Sequence, residues 1–256
     1  MTTLTLRDLG FLASSSQEPD PLFSDVQFLL RNGTGNGSGI PANEDSNSLR
    51  SLTFSGGATT ATTVFKYGNS SFSFNATGGI ETPHATALNL GTGDFCIEAW
   101  VRPSADLAST GTAVLLAKYT SLGYSYAVYI YRSQGASNPY FLFFDYTSNN
   151  STRLSLNANI DAYYTPLVFS HYAISREGTS LRFFANGDLL STQTIGTTTI
   201  YAGTAPLRLA TAIGTPNPIT FARAGFSGHL DDVRLTVGAA RYTAAFTPPQ
   251  LQLPNF

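Results

Sequence analysis

Apolar residues along this chain recur mostly with a period of two, in short runs, and never settle into the three-and-four spacing of a helix. In Phe95-Cys96-Ile97-Glu98-Ala99-Trp100-Val101, the residues Phe95, Ile97, Ala99 and Val101 share one face, which should look into a core. Ser71-Phe72-Ser73-Phe74 alternates in the same way. Further β-branched or aromatic runs stand at Val26–Leu30, Leu49–Phe54, Val64–Tyr67, Val114–Tyr119, Tyr124–Tyr131, Tyr140–Tyr146 and Arg153–Leu156. The series continues with Val168–Ser175, Leu181–Ala185, Leu189–Thr194, Leu207–Ala210 and Gly228–Val237. Gly, Pro, Asn, Asp or Ser separate them, which is the punctuation of an all-β sandwich or barrel. Asn186-Gly187 between two apolar runs predicts a hairpin turn. No fixed internal period is present, so solenoids and propellers drop out along with helical bundles.

Composition sharpens this. Only 12% of residues are charged, while Gly, Ser, Thr and Asn are abundant, a balance suited to close-set strands and tight turns. The formal charge is −2 and no Lys or Arg run occurs, so neither nucleic acid nor an anionic membrane is an expected partner. No apolar run approaches the ~20 residues of a membrane helix, and Met1–Gly10 carries Arg7 and Asp8 with no signal-peptide core. Cys96 is the only cysteine and is expected as a buried free thiol. Asn32 to Gly39 is glycine-rich, but Pro41-Ala42-Asn43-Glu44-Asp45 opens no helix, so it is no phosphate cradle. Residues 1–20 read as an arm that can anchor on a neighbouring subunit, with a frayed terminus as the alternative, and 21–256 as one sandwich domain.

Catalytic chemistry is sought and not found. A glycosidase needs two carboxylates about 5 to 10 Å apart, yet Glu98 stands alone between Cys96 and Trp100. Asp231 and Asp232 are adjacent and should point to opposite faces, Asp231 with Val233 and Leu235, and Asp232 with Arg234 as a surface pair. His84, His171 and His229 lack metal-ligand spacing, and no serine sits in a Gly-x-Ser-x-Gly elbow. The expectation is no enzyme, no catalytic residue and no cofactor. Calcium stays open, with Glu44, Asp45 and Asp231 as its acids, although unliganded loops are the plainer expectation. Tyr124, Tyr126, Tyr129 and Tyr131 are candidates to stack on a glycan or a partner, with burial in the core as the alternative. The phenylalanines of Tyr140–Tyr146 are assigned to the core more firmly, and Tyr163-Tyr164 is expected as an exposed aromatic pair in a loop.

Several segments resemble the laminin-G-like, concanavalin A-like jelly rolls of bacteriophage and bacterial surface proteins. The most specific is Phe226-Ser227-Gly228-His229-Leu230-Asp231-Asp232-Val233-Arg234-Leu235-Thr236-Val237, with its tail through Arg241-Tyr242 to Pro248-Pro249. Asp25–Leu30, Lys66–Phe72, Gly91–Val101 and Ser180–Gly187 support it in the family's order, over roughly residues 20 to 254. Asn32 stands where members often carry an acid, and Val168-Phe169-Ser170 where they often carry Trp, which weakens calcium or ligand roles tied to those positions. The resemblance implies a two-sheet antiparallel β-sandwich. It also implies a non-enzymatic virion surface protein, a capsid decoration or tail-associated adhesin, partnered by other virion proteins, copies of itself or a cell-surface glycan. A soluble carbohydrate-binding module is the alternative, and a glycoside hydrolase the third reading.

Overall fold

The alternating runs form two antiparallel layers. The computed structural model describes residues 18–31, 50–120, 123–134, 137–211 and 223–255. With strands numbered in chain order, the first sheet contains β1 (Val26–Leu30), β3 (Thr59–Ala61), β4 (Ser71–Asn75), β6 (Phe95–Pro103), β11 (Ser170–Glu177), β12 (Ser180–Ala185), β13 (Asp188–Thr194) and β15 (Ser227–Val237). Its order is β13-β12-β11-β6-β15-β4-β3, with β1 also beside β15. The second contains β2 (Thr53–Ser55), β5 (Gly79–Thr82), β7 (Thr112–Thr120), β8 (Gly123–Arg132), β9 (Tyr140–Thr147), β10 (Arg153–Asn159) and β14 (Leu207–Leu209). Its order is β10-β9-β8-β7-β14-β5-β2.

The inner faces meet in one core. Phe95, Ile97, Ala99 and Val101 of β6 face Val128 and Ile130 of β8 and Leu142 and Phe144 of β9 in a single buried cluster, as the alternation of β6 predicts. Each such Leu, Ile or Phe contributes about 1.5–3 kcal/mol by leaving water. The two layers also meet at one edge, where the Gln193 side-chain amide of β13 donates to the Asn157 carbonyl of β10.

Three local differences from the sequence reading have identifiable causes. Val64–Tyr67 is not a strand, because the N–H groups of Lys66 and Tyr67 donate to the Asp231 carboxylate and not to a neighbouring strand. The short strands β3 and β5 were not expected, since runs of three or four residues behind Gly56-Gly57 and Gly78 are too short and too glycine-flanked to carry a clear strand signal. In β15, an extra residue shifts the register between Asp231 and Arg234, and Asp232 there has φ +47°. This bulge reverses the parity of the strand. Asp231 pairs with Trp100 and Arg234 with Glu98, so both leave the core face that Val233 and Leu235 occupy. At the bulge β15 exchanges one neighbour for another: Leu230 pairs with Phe72 of β4, and Val233 with Leu30 of β1.

The Asn186-Gly187 hairpin forms as predicted. Both residues have positive φ, +46° and +87°, the geometry a two-residue turn between twisted strands requires.

Candidate functional site

The two outer faces of the sandwich differ in what covers them. On the first sheet, the segment after β15 folds back over β6, β11 and β12. Tyr242 and Phe246 stack with centroids 3.6 Å apart and meet His171 and Phe184 edge-on. Beneath them Glu98 is far from isolated. It pairs with Arg234 at 2.7 Å and His171 at 3.1 Å, and the Tyr242 hydroxyl donates to it at 2.8 Å. Burial opposes its charge, but Arg234, His171 and Arg241 prevail and hold its carboxyl below the usual range. Arg234 is correspondingly not a surface partner of Asp232. It is buried, and its second partner is Asp20 at 2.9 Å, which also binds Arg241 at 2.7 Å. This face is sealed by the chain's own tail.

The outer face of β8–β10 is the accessible one. Cross-strand register sets Tyr131 beside Phe141 and Asn159, Tyr129 beside Phe143 and Asn157, and Ala127 beside Asp145 and Ser155. Tyr129 and Phe143 are stacked at 5.1 Å, Tyr131 meets Phe143 edge-on at 5.8 Å, and Phe141 lies 6.3 Å from Phe143. Tyr131, Phe141 and Phe143 are part-exposed, as are Asn157 and Arg153. At one end Asp145 is buried, with Arg223, Arg153 at 3.3 Å and Ser155 all bonded to its carboxylate. The Arg223 guanidinium lies 4.3 Å from the centre of the Tyr129 ring. Burial and the Asp145 charge push the Tyr129 phenol up to about 12, so this ring is neutral at ordinary pH.

The expected contact tyrosines separate on this geometry. Tyr126 faces the core, its hydroxyl bonded to the Leu88 carbonyl at 2.9 Å. Tyr124 and Tyr129 lie on the outer face but are buried there. Tyr164 is buried against Tyr140 at 3.8 Å and donates to the Ala105 carbonyl, so the expected exposed pair does not exist. Tyr163 is half-buried, with its hydroxyl on Asp188 at 2.9 Å. Of the six, Tyr131 alone belongs to the accessible aromatic surface. Phe141 and Phe143, assigned to the core, complete it. Their parity with Asp145 was the signal, since a strand with Leu142, Phe144 and Tyr146 inside must turn Phe141, Phe143 and Asp145 outward.

Of the calcium candidates, Glu44 and Asp45 lie outside the described residues. Asp231 is buried and accepts from the backbone N–H groups of Lys66 at 2.8 Å, Tyr67 at 3.3 Å and Asp232 at 3.0 Å. Burial pushes its carboxyl up to about 6 against those bonds. It ties a loop to β15. No group of three His, Cys, Asp or Glu side chains placed to hold a metal ion occurs among the described residues. Nor is any helix among them long and apolar enough to cross a membrane.

Two packed antiparallel sheets with one open aromatic face define a β-sandwich of the concanavalin A-like class. A family model described as the concanavalin A-like lectin/glucanases superfamily matches residues 74–241, over half of the chain, and the chain belongs to that superfamily. Among solved structures it is similar to the binding domain of Paraclostridial mosquitocidal protein 1, with TM-score 0.63 and 13% identity, covering 86% of this chain and 50% of that one. The binding domain of botulinum neurotoxin DC, solved with rat synaptotagmin II, gives TM-score 0.59 and 11% identity over 91% of this chain and 50% of that one. Domain 4 of the Geobacillus stearothermophilus arabinanase AbnA, in complex with arabinotriose, gives 0.52 and 17% over 74% and 83%. This chain thus spans about half the length of the toxin binding domains. At these identities the likeness is one of fold. A search of curated protein sequences finds no match.

Proposed function

We propose that this chain is a non-enzymatic display module that grips a glycan on the outer face of β8–β10, at the surface of a virus particle. The observation that carries the glycan reading is the part-exposed platform of Tyr131, Phe141 and Phe143, bordered by Asn157, Asn159 and Arg153. A sugar ring offers an apolar C–H face to such rings, while its hydroxyls meet amide and guanidinium groups at the border. Structures of this fold solved with arabinotriose and with a sialylated ligand support the reading.

Three carboxylate sites favour binding without turnover. The Asp145 carboxylate is occupied by two guanidiniums and a hydroxyl, Glu98 is sealed under the tail, and Asp231 is bonded to backbone. A glycosidic general acid needs a raised, protonated carboxyl facing a second one across the substrate. The virion setting, with other virion proteins or further copies as partners, rests on the likeness of the 226–249 segment to bacteriophage members.

Glycan-array screening followed by titration calorimetry tests the first part. Phe143→Ala and Tyr131→Ala should each weaken the best hit at least about ten-fold, or about 1.4 kcal/mol, with the fold retained by circular dichroism. Unchanged affinity in both variants refutes the platform. Mass spectrometry of purified particles tests the setting, and absence of the chain from them refutes it.

A further inference from the structure

Beside the platform, at the end of the sandwich where the β6–β7 loop meets the segment entering β15, lies a cleft of about 350 Å³. Thr112 lines it and pairs in register with Tyr131, so the cleft adjoins the platform at that pair. Its walls are made by Ala76, Ala105, Ala108, Gly111, Ala224 and Gly225, none of which projects a long side chain into the space. Tyr164 and Phe226, both buried, add aromatic surface to its lining.

Its polar groups are built in. The Tyr140 hydroxyl donates to one Asp106 oxygen at 3.0 Å, and Tyr140 is itself held by the Tyr164 stack and by the Arg132 guanidinium 5.1 Å from its ring centre. Asp106 is thereby oriented from below while the residue remains exposed. The Ser104 and Ser227 hydroxyls, 2.8 Å apart, add groups that both donate and accept.

We propose that this cleft is a second subsite that takes a neutral sugar residue at the end of the glycan chain, with Asp106 accepting its hydroxyl protons. The inference rests on the glycan reading of the adjoining platform. The volume lies at the low end of small-molecule sites, which suits one or two rings and excludes a macromolecular partner. Asp106 is the one charged side chain among the described lining residues. A carboxylate makes strong charge-assisted bonds to hydroxyl donors and repels sugars bearing carboxylate or sulfate.

The test is calorimetric titration of wild type, Asp106→Asn, Ala108→Trp and Phe143→Ala with the best neutral array hit, with arabinotriose and with sialyllactose. Asp106→Asn keeps an oxygen for Tyr140 and loses the charge, and Ala108→Trp fills the cleft. Each should weaken the neutral oligosaccharide at least about ten-fold, and a thermal melt of each variant establishes that it is folded. Loss on Phe143→Ala with both cleft variants binding like wild type overturns the subsite and leaves the platform standing. A wild-type preference for the sialylated probe overturns the neutral class. A wild type that binds no glycan overturns both proposals.

Discussion

Lys118 is fully buried on β7, its ammonium donating to the Gly203 carbonyl and to Nδ1 of His84 at 3.2 Å, with no carboxylate paired to it among the described residues. Burial pushes its pKa down to about 8 from an ordinary 10.5. Between those values the unfolded chain holds a proton that the native state has released, so this residue's contribution to stability improves as pH rises through the window. Below about 8 the cost of burying the ammonium is complete. Buried tyrosines act in the opposite sense at higher pH, so the informative quantity is the difference from Lys118→Met. From pH 8 to 10 the urea midpoint of wild type should rise relative to that of the variant. Parallel profiles would show that the ammonium does not titrate in this range. Cys96 is also buried and free, as expected for a lone thiol on a core strand.

At the scale of elements, the β12–β13 hairpin is both a turn and a seat for the tail. The Phe246 N–H donates to the Gly187 carbonyl at 2.9 Å, and a Cβ placed on Gly187 would come within 1.9 Å of the Phe246 carbonyl oxygen. Gly187 also has φ +87°, so a side chain there meets strain as well as collision. Gly187→Ala should therefore cost more than about 1 kcal/mol in urea unfolding and loosen the tail. Wild-type stability in that variant would mean that the tail does not rest on the turn. The β15 bulge works in a similar way. It frees Asp231 to bind the 66–67 loop and Asp232 to accept from the Leu253 N–H at 2.9 Å, so a single irregularity anchors two loops.

Across the whole molecule, the Asp20–Arg234–Glu98 and Asp20–Arg241 contacts join segments more than 200 residues apart in sequence. Leu253 closes the same region by packing with Val26 and Leu29. Asp20→Ala leaves two guanidiniums short of a partner in a buried setting and should cost about 3–5 kcal/mol in urea unfolding. Stability equal to wild type would show that the ion cluster merely coexists with the tail. Any deletion meant to probe the expected 1–20 arm must stop short of Asp20, or loss of the clasp will be mistaken for loss of an anchor. Because the tail occupies one outer face, the sandwich has its open aromatic surface on the other, and that asymmetry directs the binding proposals to β8–β10.

The alternation of residues was enough to establish the class of fold, the inner face of β6 and the hairpin at Asn186-Gly187, because the period of a strand and the φ requirement of a tight turn are local properties. Which aromatics are reachable was not local. Phe141 and Tyr129 both point outward, yet one is part-exposed and the other buried. Glu98, Arg234 and Asp20 had no visible connection until β6, β15 and the chain ahead of β1 came together. The extra residue in β15 brought Asp231 onto the same outer face as Arg234, a change that composition and spacing do not report. Charge pairing, coverage by the tail and strand parity beyond a bulge all depend on contacts between distant segments, and only the packed tertiary structure decides them.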